Sequence, residues 1–132
     1  MVLVDTSVWI DYLGPRPGAA SRRLDELVAA ALPFALSPVI LQEVLQGARI
    51  GPEFRRLRAN LLTQRFLYSR DAIKSHIAAA AIYSRCRRAG VTPRSTIDCL
   101  IAQIAIDNRA ALLHNDSDFD TIATVVRELI IY

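Results

Sequence analysis

The chain has 132 residues, 52% of them hydrophobic and 22% charged, with a formal charge of +3. That excludes a disordered or low-complexity protein and describes one globular domain over 1–132, large enough to bury a core without a disulfide framework or structural metal. No run approaches the roughly 18 apolar residues of a membrane span. The segment MVLVDTSVW has no signal-like regions, and Cys86 and Cys99 have no zinc spacing, so a reducing cytoplasm is expected. Every cation except Lys74 is an arginine, and the mild positive balance permits a nucleic-acid partner without demonstrating one.

Met1 to Val4 is an unbroken apolar run ending at Asp5, the pattern of a parallel strand buried on both faces. A helix is predicted next, capped by Thr6 or Ser7, with Val8, Trp9, Ile10 and Leu13 as its apolar side and Gly14 and Pro15 as its stop. Ala20 to Leu32 reads as an amphipathic helix ended by Pro33, and Phe34 to Leu36 as a short strand. Ser37-Pro38 then opens a helix to about Arg49, and Gly51-Pro52 opens another over Glu53 to Leu62. A strand is expected over Gln64 to Tyr68, followed by a long helix from Asp71 to Ala89, capped by Ser69 and closed by Gly90. Ser95 and Thr96 start a helix from Ile97 to about Asn108. Ala111 to Leu113 is a strand, Phe119 to Val125 a short helix and Glu128 to Ile131 a last strand. Strands alternating with helices predict an α/β fold, a short, mostly parallel sheet with helices on both faces.

In such a sheet ligands bind beyond the carboxyl ends of the strands, so acids at those ends draw notice. Asp5 follows Val2-Leu3-Val4, and Asp116 follows Ala111 to Asn115. Each is also explained as a helix cap or turn residue, as are Asp118 and Asp120. Asp98 opens the nearly all-apolar stretch Cys99 to Ile106. It reads either as the capping-box partner of Ser95 or as a half-buried carboxylate that needs a cation. Glu43 sits mid-helix with no Lys or Arg three or four residues away, so it is either solvated or turned toward the other acids. If Asp5, Glu43, Asp98 and Asp116 converge, their repulsion is answered best by a hard divalent cation. Mg²⁺ takes oxygen ligands at about 2.0–2.1 Å and serves phosphodiester hydrolysis.

At these residues the chain strongly resembles the PIN-domain ribonucleases, most closely the VapC toxins of bacterial toxin–antitoxin pairs. The resemblance is carried by V-D-T-S-V-W-I at Val4 to Ile10, Q-E-V-L-Q-G at Gln42 to Gly47, I-D-C-L-I-A at Ile97 to Ala102 and N-D-S-D-F at Asn115 to Phe119. It implies a Mg²⁺- or Mn²⁺-dependent endoribonuclease whose metal-binding acids are Asp5, Glu43, Asp98 and Asp116, with Asp118 a lesser candidate. It also implies that Thr6 or Ser7 orients an acid or a water, that the chain forms a homodimer, and that a VapB-like antitoxin blocks the pocket in a heterotetramer or larger assembly. Many relatives carry a hydroxyl residue two positions before the fourth acid; here that position is His114.

Arg55, Arg56 and Arg58, with Arg85, Arg87, Arg88 and Arg94, are the candidate RNA-facing cations, each also read as part of a solvated face. Nucleophile-elbow, P-loop and dinucleotide-binding motifs are missing from the sequence. The alternative reading is a catalytically silent RNA-binding or regulatory module that keeps the acidic pocket.

Overall fold

The computed structural model describes residues 1–132. Its centre is β1 (Val2–Val4), flanked in parallel by β2 (Phe34–Ala35) and β3 (Ala111–Leu113), giving the order β2-β1-β3. Val2 lies opposite both Phe34 and Ala111, and Val4 opposite Leu113. Leu3 and Val4 are wholly buried, which explains why β1 shows no alternation: helices cover both faces. Val4, Leu36, Ile40, Ile101, Leu113 and Phe119 belong to one core.

The expected strands at Gln64 to Tyr68 and Glu128 to Ile131 shrink to single parallel bridges, Leu36 to Phe66 and Leu112 to Ile131. The first has too little partner backbone, because Ser37 already caps the next helix. In the second, the Leu129 N–H closes a turn onto the Val126 carbonyl, leaving only the last residues extended.

Seven helices surround the sheet: α1 (Thr6–Leu13), α2 (Ala19–Ala29), α3 (Pro38–Gln46), α4 (Pro52–Leu61), α5 (Ala72–Arg88), α6 (Thr96–Asp107) and α7 (Ser117–Val125). One cap settles an open choice and one differs from expectation. Asp5, rather than Thr6 or Ser7, caps α1, and Asp71, rather than Ser69, caps α5; in each case a carboxylate accepts a backbone N–H of the first turn. The α2 start has no capping side chain of its own. The Asp11 carboxylate reaches across to accept the N–H groups of Gly18 and Ser21. Helix α3 stops at Gln46, short of Arg49, where the Gly47 N–H turns back to the Val44 carbonyl.

Gly90, with φ of +82°, follows the α5 C-cap and lets the Val91 N–H reach the Cys86 carbonyl at 2.8 Å. Helices α5 and α6 pack together, with Cys86 and Cys99 both buried as free thiols. Burial pushes the Cys99 thiol up to about 11, and the nearby Cys86 adds to the shift.

Candidate metal centre

Parallel pairing brings the carboxyl ends of β1 and β3 side by side, and the Asp5 N–H continues the ladder to the Leu113 carbonyl at 2.9 Å. Asp5 is therefore locked at the sheet's end, 4% exposed, and cannot turn away into water. Its Oδ2 accepts the backbone N–H of Ser7 at 2.9 Å and the Ser7 hydroxyl. Burial raises the Asp5 carboxyl above its ordinary value, opposed first by the Ser7 hydroxyl hydrogen bond. The Ser7 Oγ also accepts the Asn115 N–H at 2.9 Å, tying the two strand-end turns together.

Glu43 lies half-buried in the middle of α3. Its partner is the Thr6 hydroxyl, which donates to Oε1 at 2.6 Å across 37 residues of sequence. Thus neither α1 hydroxyl caps the helix; Ser7 holds Asp5 and Thr6 holds Glu43.

Asp98 is half-buried in the first turn of α6. Ser95 caps that helix by accepting the Ile97 N–H, and no capping box with Asp98 forms. Its carboxyl is pushed up to about 7, first by burial, then by the negative charges of Asp5, Asp116, Asp118 and Glu43. Oxygens of Asp98, Asp116 and Asp118 all lie within 4.8 Å of one another. Asp5 and Glu43 flank this trio closely enough to bear on Asp98, without belonging to it.

Asp116 caps α7, its Oδ1 accepting the Asp118 N–H at 2.9 Å. Arg94, in the loop before α6, forks over the outer pair. Its Nε donates to Asp118 Oδ2 at 2.9 Å and its Nη2 to Asp116 Oδ1 at 3.2 Å. The guanidinium holds Asp118 below the ordinary carboxylate range. Arg94 keeps the solvated position expected of it, its side chain 72% exposed, and from there pairs with the two outer acids. Sequence reading offers no signal for that, because the partners lie 22 and 24 residues away. Arg85 is likewise engaged, pairing with Glu128 at 3.0 Å.

The buttressing follows one pattern. Asp5, Glu43, Asp116 and Asp118 are each held through a single oxygen, and neither oxygen of Asp98 has a protein partner. Five carboxylates thus face Arg94 as the one cation paired with them, and the Asp98, Asp116 and Asp118 oxygens form a hard, all-carboxylate donor set. That chemistry fits a Mg²⁺-class ion and not a thiolate- or imidazole-seeking one.

The PIN domain family model matches residues 2–125. The chain belongs to the PIN domain family. Among its relatives, it is 38% identical over 126 residues to ribonuclease VapC11 of Mycobacterium tuberculosis, covering 95% of this chain and 93% of the relative. The VapC ribonuclease Mb1587 of Mycobacterium bovis matches to the same extent. The fold is also that of FitAcB from Neisseria gonorrhoeae, with a TM-score of 0.73, 20% identity, and coverage of 100% of this chain and 96% of the other. VapBC2 from Rickettsia felis, solved on a promoter DNA fragment, gives a TM-score of 0.73 at 18% identity, covering 100% and 98%.

Proposed function

We propose that this chain is an endoribonuclease that cleaves RNA phosphodiester bonds with the help of Mg²⁺ or Mn²⁺, and that it is the toxin half of a type II toxin–antitoxin pair. The observation that carries the reading is the set of free carboxylate oxygens. Four acids are each fixed by one oxygen and Asp98 by neither, and oxygens of Asp98, Asp116 and Asp118 converge within 4.8 Å with the charges of Asp5 and Glu43 close by. Kinship to VapC ribonucleases supports RNA as the substrate.

In this reading Asp5, Glu43, Asp98 and Asp116 hold the ion, with Asp118 as a lesser ligand. A divalent cation held there supplies Lewis-acid polarisation of a phosphate and acidifies water. The chain's own residues do the positioning. Ser7 and Thr6 present Asp5 and Glu43 with fixed rotamers, so their free oxygens are aimed before any ligand arrives. Asp98 is the acid whose proton is most easily kept near neutrality, and it must be shed for the pocket to take a cation. Arg94, the exposed cation at the rim, balances charge there and stands where an incoming phosphate would meet it.

The partners proposed are RNA, a second copy of the chain and a VapB-like antitoxin, assembled as a heterotetramer or larger in the cytoplasm. The TM-score neighbours from toxin–antitoxin complexes accord with such a partner. No helix is long and apolar enough to cross a membrane.

The test is RNA cleavage with Mg²⁺ or Mn²⁺, with and without chelator, by the wild type and by Asp5→Asn and Asp98→Asn. Metal-dependent scission should be lost in both variants while circular dichroism shows a retained fold. Equal cleavage by wild type and variants would refute the assignment.

A further inference from the structure

We propose that His114 is the positioning residue of Asp116, its imidazole replacing the side-chain oxygen that usually closes such a turn. The inference rests on the reading of Asp116 as a metal-holding carboxylate. The loop between β3 and α7 is pinned by successive backbone donors. Asn115 N–H goes to Ser7 Oγ at 2.9 Å, Asp116 N–H to His114 Nδ1 at 3.2 Å, and Asp118 N–H to Asp116 Oδ1 at 2.9 Å. The middle bond joins a side chain to the backbone two residues on, the geometry an Asx or ST turn makes with a carbonyl or hydroxyl oxygen. Of the three, it alone depends on the side chain at position 114.

Because Nδ1 accepts a backbone N–H, the ring's proton sits on Nε2; the hydrogen-bond partner fixes the tautomer. Nε2 is sealed from solvent without a hydrogen-bond partner. It lies 3.3 Å from Asp120 Oδ1 but out of hydrogen-bonding alignment. The ring is held by packing: its side chain is 7% exposed and its centroid lies 5.3 Å from that of the fully buried Phe119. Both nitrogens are thereby withheld from any substrate, so His114 acts through Asp116 and not on RNA.

The pair of variants that tests this separates ring from acceptor. His114→Phe keeps the ring and its seat on Phe119 but removes the acceptor; His114→Asn loses the ring and keeps an acceptor for the same N–H. Mn²⁺ affinity, read by electron paramagnetic resonance on the folded protein, should weaken roughly 10- to 100-fold in His114→Phe, the scale of lost outer-shell support. It should stay within a few-fold of wild type in His114→Asn, and kcat should follow affinity while KM for RNA holds. In wild-type NMR spectra, the imidazole should carry its proton on Nε2. A folded His114→Phe that binds Mn²⁺ like wild type, or a folded His114→Asn as weak as His114→Phe, overturns the inference alone. A wild type that neither binds Mn²⁺ nor cleaves RNA overturns the nuclease reading and this role with it.

Discussion

The turns after β1 and β3 solve the same problem differently. Each runs from a buried strand into a helix capped by an aspartate that accepts the N–H two residues on, at 2.9 Å in both. After β1 the acid follows the strand at once and is buried; after β3 two residues intervene and the Asp116 side chain is 33% exposed. The buried acid is steadied by a neutral hydroxyl, the exposed one by a guanidinium. A neutral donor orients a carboxylate without cancelling its charge, whereas a cation does both. The inner half of the pocket therefore keeps its appetite for a positive ion, while the outer half has a displaceable one already.

Four experiments break or sharpen that contrast. The largest effect is expected where charge is removed from the pocket's centre. Asp98→Asn should lower metal-dependent cleavage by at least about 100-fold, on the scale of losing electrostatic stabilisation at a reacting centre, measured as single-turnover rate.

Next is the pH dependence of stability without divalent ions. Asp98 is raised from 3.8 to about 7 in the folded protein, so the unfolded chain sheds this proton first. Its contribution is fully present below the unfolded value and is lost as pH rises to about 7, levelling beyond. Melting temperatures in chelator should fall over that window in the wild type and flatten in Asp98→Asn. Parallel curves would show that Asp98 is not the strained acid.

Thr6→Val, which strips Glu43 of its donor, should reduce cleavage about 10-fold and cost about 1 kcal/mol in denaturant titration. Smallest is Arg94→Gln: stability should not change measurably, because the guanidinium is exposed and its ion pairs are weak. Mn²⁺ affinity should tighten a few-fold as the resident cation disappears, and weaker binding would mean that Arg94 braces the acids instead.

Local chemistry made much of this legible in the sequence. An apolar tripeptide stopping at Asp5 marks a buried strand and its exit, and the stretch after Asp98 marks a helix buried nearly all round. What was not legible depends on distance along the chain. The Thr6 to Glu43 bond and the Arg94 fork join residues that nothing in their own segments relates. The outer strands shrink to bridges because Phe66 to Tyr68 and Leu129 to Ile131 satisfy a strand pattern, but pairing needs partner backbone that the neighbouring caps and turns already use. At both starts the carboxylate wins: Asp5 over Thr6 and Ser7, which were open to the same role, and Asp71 over the expected Ser69, a carboxylate being the stronger acceptor for a first-turn N–H.

The two thiols sealed beneath α5 and α6 give this architecture a built-in reporter. Cys99 is the inward-facing neighbour of Asp98, 1% exposed, and its raised pKa keeps it protonated and inert. An alkylating reagent can reach it only when the helix pair parts, so the labelling rate of the unmodified protein measures how often the scaffold beneath Asp98 breathes. A tightly bound ion should slow that reaction in proportion to its occupancy, turning a passive core residue into a clock for ligand-induced stiffening.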